Sequence, residues 1–269
     1  RLILVVTLAA ATLVPHPATA AIEDRVRDHV DRAVAGGLEP EDFHHLVLAF
    51  GYTRTLPDWA AIEGHLARLS AVRRVDPLMR DELRLLEARL ALDAGHDDQS
   101  RALFRAMGGL EGWWLNGPTT IDELEDFAST VALPGADASW RPARGVDVLG
   151  WVRIAGIAWP ASRQLVFLAT TVASPVEQPV ALRLGAAQAA RAWLNGREVL
   201  TTPQPLDRAE DQAVGGGWLA AGHNLLVVAV AAESDDWWLR ARLTAPDGGP
   251  LAGVVEVATA PATRPPVDR

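Results

Sequence analysis

From residue 22 to about 107, apolar residues recur every three or four positions, the period of a helix with one buried side. Val26, Val30 and Val34 make a first stripe, with Arg and Asp on the opposite face. Phe43, Leu46, Val47 and Phe50 make a second, opened by Pro40 with Glu41-Asp42 at the positive end of the helix dipole. Ile62, Leu66 and Leu69 follow the capping residue Asp58. Leu83, Leu86 and Leu90 then lie between Asp76-Pro77 and Gly95, and Ala102, Leu103 and Ala106 run up to Gly108-Gly109. Glycines at 36–37, 51, 95 and 108–109 suit the left-handed residue that closes a helix. The spacing predicts five amphipathic helices in an antiparallel array over residues 21–110.

Beyond Gly109 the period changes, and nine of the ten tryptophans lie past residue 112. Short β-rich runs appear at Gln164–Val172, Val180–Leu184, Ala190–Leu194, Glu198–Leu200, Asn224–Ala231, Trp237–Thr244 and Val254–Ala258. Turn signals separate them: Ser174-Pro175, Asn195-Gly196, Gly215-Gly216-Gly217, Gly222-His223-Asn224 and Asp247-Gly248-Gly249-Pro250. Residues 111–258 are therefore expected to form an antiparallel β-sandwich, with 224–231, apolar on both faces, as a central covered strand. The fold class is α + β multidomain: an N-terminal all-α helical hairpin array and a C-terminal jelly-roll sandwich. Three prolines in residues 259–269 mark a tail.

Two resemblances follow from particular residues. Leu86 to Phe104, with small alanines, a turn at Gly95 and Ala102 packing back, resembles one tetratricopeptide-type hairpin; a plain helical bundle is the alternative. Residues 190–199 read strand, Asn195-Gly196, strand, and Asn-Gly suits a type I′ turn. Leu219, Gly222 and Asn224 then match the "Leu-x-x-Gly-x-Asn" that announces the partner strand in the galactose-binding-domain-like jelly roll, as in the sugar-binding domain of family 2 glycoside hydrolases. The resemblance covers 111–258 and implies a fold rather than an activity. The Gly112-Trp113-Trp114-Leu115-Asn116-Gly117-Pro118 opening resembles the entry to such domains in exported bacterial proteins, where transglutaminase- or peptidase-type domains stand alongside. No third domain of that kind is expected from residues 1–269, which puts an inherited enzymatic activity in doubt.

Composition narrows the function further. All 25 cations are arginine against 34 acids, giving a net charge of −9. No window supplies the cationic stripe that nucleic acid or an anionic membrane requires. The absence of cysteine removes disulfides, thiolate catalysis and cysteine-based metal sites. Residues 1–14 join one cation to an uncharged apolar run. Pro15-His16-Pro17 ends it, and Ala18-Thr19-Ala20 offers a cut before Ala21. Residues 1–20 thus read as a secretory signal, the run being shorter than the roughly twenty residues of a membrane span. An uncleaved anchor is the alternative. The chain starts without methionine, so further residues are expected upstream. A periplasmic or secreted protein with no span after cleavage is the expectation.

Catalytic motifs are missing: no Gly-x-Ser-x-Gly, no His-Glu-x-x-His, no phosphate loop and no lysine. His44-His45 are adjacent on a helix and poorly placed to share a metal. Asp122, Glu123, Glu125 and Asp126 lack the spacing and glycine of a calcium loop, leaving Asp211 with Asp235-Asp236 as the other oxygen set a structural calcium could use. No metal ligand set and no cofactor is assigned. Aromatic placement says more. Strand alternation puts Arg191, Trp193 and Asn195 on one face of 190–194, opposite Ala192 and Leu194. It puts Trp238, Arg240 and Arg242 opposite Trp237, Leu239, Ala241 and Leu243. A tryptophan beside hydrogen-bonding side chains holds a sugar by covering its C–H face while polar groups take its hydroxyls. Trp193, Trp238, Arg191, Arg240, Arg242 and Asn195 are accordingly the candidate ligand-binding residues, with interdomain packing as the competing role. The expectation is a non-catalytic envelope protein that binds a carbohydrate or a protein partner. An accessory or truncated portion of an envelope hydrolase is the alternative.

Overall fold

A computed structural model describes residues 17–53, 59–73, 75–121, 127, 131–135, 138–158, 163–202, 208–232, 234 and 236–261. The apolar run of the expected signal, Asp58, the acidic run 122–126, Asp235 and residues 262–269 of the tail lie outside them. Packing divides the chain into two compact units, Arg1–Met79 and Arg80–Arg269. The change from helix to strand near residue 110 and the change of packing unit are different boundaries. Among the described residues no helix is long and apolar enough to cross a membrane.

The first unit holds α1 (Pro17–Gly36), α2 (Phe43–Thr53) and α3 (Trp59–Ser70). Most of its buried residues are those the three- and four-residue spacing marks: Val26 and Val30 of α1, Leu46 and Phe50 of α2, Ile62, Leu66 and Leu69 of α3; on α1 Ala33 takes the buried position expected of Val34, which is half-buried. Val47 and Phe43, expected in the second stripe, sit at its exposed border, and Ala49 takes the buried position.

The fourth helix, α4 (Pro77–Asp93), passes into the second unit, and α5 (Asp97–Ala106) follows after the turn at Gly95. In this unit α4 and α5 contribute Leu85, Ala88 and Phe104 to a cluster with Met107, Leu149 and Trp151. The strands are β1 (Trp114–Thr120), β2 (Arg141–Pro142), β3 (Val152–Arg153), β4 (Gln164–Ser174), β5 (Gln178–Ala186), β6 (Ala190–Leu194), β7 (Arg197–Thr202), β8 (Ala213–Leu219), β9 (Gly222–Ala232), β10 (Trp238–Thr244) and β11 (Val255–Val257). They form two antiparallel sheets, β2-β1-β4-β9-β6-β7 with β11 also on β4, and β3-β10-β5-β8. The main core lies between them, built from inward residues such as Val166, Leu168, Leu182, Leu184, Val228 and Leu239. Residues 224–231 are covered on both sides: Leu226, Val228 and Val230 face this core, while Val227, Ala229 and Ala231 face a second cluster on the outer side of the larger sheet.

Two predicted turns lie in strands. Gly222-His223-Asn224 opens β9, paired with the end of β4, and Gly215-Gly216-Gly217 forms the middle of β8, an edge of the smaller sheet. A Cβ on Gly215 would stand 2.2 Å from the Val199 carbonyl oxygen and 2.8 Å from the Leu200 Cβ, and one on Gly217 would stand 3.1 Å from Leu194. Glycine lets β8 approach the β6–β7 hairpin where the two sheets converge.

Candidate functional site

The alternation reading places each residue on the side expected of it, but long-range packing covers those sides. Trp193 is only 5% exposed and packs with Phe127, Val131, Leu165 and Phe167 outside the larger sheet. Arg191 lies 5.2 Å over its ring, donates to the Val131 carbonyl at 2.6 Å and pairs with Glu198. Trp238 belongs to the other sheet, half-buried between the guanidinium groups of Arg208 at 3.9 Å and Arg153 at 5.6 Å. The two tryptophans therefore share no face, which corrects the expectation of a single surface lined by both. Asn195 is the turn residue: its φ is 52°, its side-chain N–H donates to the Asn224 Oδ1 at 2.7 Å, and its own Oδ1 accepts from the Leu225 N–H at 2.9 Å. Asn224 also accepts from the Ala220 N–H at 2.7 Å. The two motifs behind the jelly-roll resemblance are thus bonded to each other, and their amides serve the fold.

Arg240 and Arg242, expected on an open polar face, are each 1% exposed beneath α4 and α5. Arg242 reaches Asp81 of α4 at 2.6 Å, pairs with Asp211, and donates to the Met107 carbonyl at 3.2 Å. Burial acts to lower its pKa, but the hydrogen bonds it donates to Asp211 and Asp81 outweigh that and raise it. Asp211 is therefore engaged with an arginine rather than offered to a cation. Arg240 stacks 4.8 Å over Phe104, has Glu210 3.5 Å away, and makes no hydrogen bond among the described residues. Burial pushes its guanidinium down to about 10 despite Asp211 and Glu210. Glu210 is held below the ordinary carboxylate range: burial pushes it up, and Arg89's hydrogen bond and charge pull it down further. Glu82 is raised, first by burial and then by Asp211. These groups fasten helices to a sheet.

The exposed aromatic is elsewhere in the same sheet. On β8, Gly215, Gly217 and Leu219 turn inward, so Val214, Gly216 and Trp218 turn outward. Trp218 is 60% exposed and Val214 56%. Trp218 lies across from Pro179 in the register, and a Cβ on Gly216 would meet nothing within 4 Å. A cleft of about 910 Å³ runs along this glycine stretch, lined also by Asn195, Arg197 and Glu198 of the β6–β7 hairpin and by Pro179, Trp218 and Pro246. Glu198 is oriented by Arg191 and by Thr201, whose hydroxyl donates to it at 2.7 Å. The Thr201 and Arg191 hydrogen bonds hold its pKa low, so it is a carboxylate at neutral pH. Arg197 makes no ion pair among the described residues. The arrangement is an uncovered indole flanked by hydrogen-bonding and charged groups. Sequence reasoning missed it because the glycine run read as a turn, which removed Trp218 from any strand face.

A second cleft of about 410 Å³ borders Glu111 and Glu256. Both carboxylates are engaged: Glu256 accepts from the Gly112 N–H at 2.7 Å and the Thr170 hydroxyl at 2.8 Å, while Glu111 accepts from Arg101 at 2.9 Å and Arg105 at 2.7 Å. They latch β11 and α5 to the start of β1.

No family model and no curated protein matches the chain. Among solved structures, it is similar to an anti-sigma factor domain-containing protein from Clostridium clariflavum, at 11% identity and a TM-score of 0.35, over 55% of this chain and 44% of that one. A family 35 carbohydrate binding module from an environmental isolate matches at 17% identity and a TM-score of 0.26, over 35% and 72% of the two chains. An uncultured Clostridium sp. β-glucuronidase matches at 13% identity and a TM-score of 0.32, over 50% and 28%. The chain thus spans less than half the length of the first and third of these.

Proposed function

We propose that the chain is an exported, non-catalytic glycan-binding module whose ligand lies in the cleft along β8, its sugar ring stacked on Trp218. The observation that carries this reading is the 60% exposure of that indole beside an open glycine, in a cleft with charged flanks. An exposed indole offers an apolar plate to a sugar's C–H face, and Arg197, Glu198 and Glu177 stand where hydroxyls can be met. The segment over 1–20 is the export signal in this reading, and the periplasm or exterior is the place of action. The tetratricopeptide-like hairpin within 86–104 is the support that covers β10, not a second ligand surface.

A competing occupant has one observation in its favour. β8 is an edge strand with apolar Val214 and Trp218 exposed, the setting in which a protein strand is added to a sheet. Affinity electrophoresis of the full chain through a panel of polysaccharides separates the two. Retardation by at least one of them, lost in Trp218→Ala with an unchanged melting temperature, is expected. No retardation by any polysaccharide, or equal retardation of the variant, overturns the glycan reading.

A further inference from the structure

The first unit contains a cluster that neither the sandwich nor the glycan reading uses. His29 on α1 and His45 on α2 bring their Nδ1 atoms to 3.2 Å. α1 and α2 pack against each other, each with buried residues beside the histidines, Val26, Val30 and Ala33 on α1 and Leu46, Ala49 and Phe50 on α2. Both rings are half-buried, at 5.4 Å between centroids and tilted by 37°. His44 adds a third ring 3.8 Å from that of His45, but its own Nδ1 is engaged with the Glu41 carbonyl at 2.7 Å. The adjacent pair read from sequence is therefore not the pair that meets; His29, sixteen residues before His45, is the partner.

The geometry points to a two-histidine transition-metal site, with Nδ1 of His29 and Nδ1 of His45 as ligands and Zn²⁺, Ni²⁺ or Cu²⁺ as the class of ion. Two imidazole nitrogens bound at about 2.05 Å on a tetrahedral ion stand roughly 3.3 Å apart, which is the separation found to within about 0.1 Å. Imidazole donors suit zinc, nickel and copper, whereas calcium and magnesium demand oxygen. Metal binding needs neutral imidazole. Arg32 is paired with Asp28 at 3.0 Å, and Arg25 is turned to the Tyr52 hydroxyl at 3.3 Å. Among the described residues no third histidine, cysteine or carboxylate completes the set. The remaining positions fall to water, making an open, exchangeable site that ties α1 to α2.

The test is isothermal titration of Zn²⁺ into the full chain at pH 7.5, beside Mg²⁺ and Ca²⁺, with melting curves at each metal concentration. One zinc per chain is expected, with no binding of magnesium or calcium, and a melting temperature that rises with zinc because the ion binds the folded form. His29→Gln and His45→Gln should each weaken zinc binding by about ten-fold or more, as loss of a ligand must, while His44→Gln should not. Metal-free melting curves of the variants show whether they fold. Absence of zinc binding at millimolar concentration, or equal binding by folded His29→Gln and His45→Gln, overturns the site and leaves the 3.2 Å contact as a hydrogen bond between the two imidazoles.

Discussion

β10 and β8 are strands of one sheet, separated only by β5, and each turns a tryptophan away from the core. On β10 the outward residues are Trp238, Arg240 and Arg242, and they are covered. On β8 they are Val214, Gly216 and Trp218, and they are open. The more polar face is the buried one. The reason is what packs on it: α4 supplies Asp81, and the approach to β8 supplies Glu210 and Asp211, so the arginines are neutralised where they are buried. Phe104 and Met107 of the α5 end complete the cover. Side-chain polarity does not decide which half of a sheet is free to bind; the position of the covering helices does.

The largest effects are expected on the covered half. Arg242→Ala leaves Asp81 and Asp211 buried without their shared cation and should cost about 3–5 kcal/mol in chemical denaturation. A triple exchange of all three for apolar residues of similar volume should recover most of that loss. If Arg242→Ala melts like the native chain, the helices are not fastened through this group and the contrast between the two halves fails.

A smaller effect separates neighbouring glycines of β8. Gly215→Ala drives a Cβ against the Val199 backbone and should cost about 1–3 kcal/mol, while Gly216→Ala points into open space and should stay within about 0.5 kcal/mol. Equal costs would mean that β8 does not alternate as described.

Smaller still is the pH effect of Glu82. Its folded-state pKa is raised, so the folded chain keeps this proton to higher pH than the unfolded chain, whose value is about 4.3. Stability from this group is present at acid pH and falls as pH rises from about 4 through the raised value. Glu82→Gln should therefore be more stable than the native chain at pH 7, with the difference vanishing below about pH 4. A difference of the same size at both pH values would contradict the assignment.

Much of this architecture can be read from local pattern. The apolar spacing marks helices α1 to α5, and the Asn195-Gly196 turn with Gly222-x-Asn224 marks a hairpin and strand that the structure joins by side-chain hydrogen bonds. Alternation correctly sorts Ala192 and Leu194 from Trp193, and Leu239 and Ala241 from Arg240. The candidate sites were less legible, because exposure depends on partners distant in sequence. Val131 lies 62 residues before the Trp193 it helps to cover, and Asp81 is farther still from Arg242. Trp218 was hidden by a different cause: three glycines carry a turn signal, and only the close approach of Val199 shows that they are there to let a strand pass. His29 was hidden by spacing, since its partner sits on the next helix.

The central claim is that Trp218 is a ligand plate while Trp193 is a core residue, and the two alanine variants test it in one experiment. Titration calorimetry with a polysaccharide that retards the native chain, run beside denaturant unfolding, should give opposite patterns. Trp218→Ala should lose about 2 kcal/mol of binding, roughly thirty-fold in affinity, with stability changed by less than about 0.5 kcal/mol. Trp193→Ala should lose about 3–5 kcal/mol of stability, as buried aromatics do. Unchanged binding in Trp218→Ala, or a stability loss as large as that of Trp193→Ala, would contradict the account.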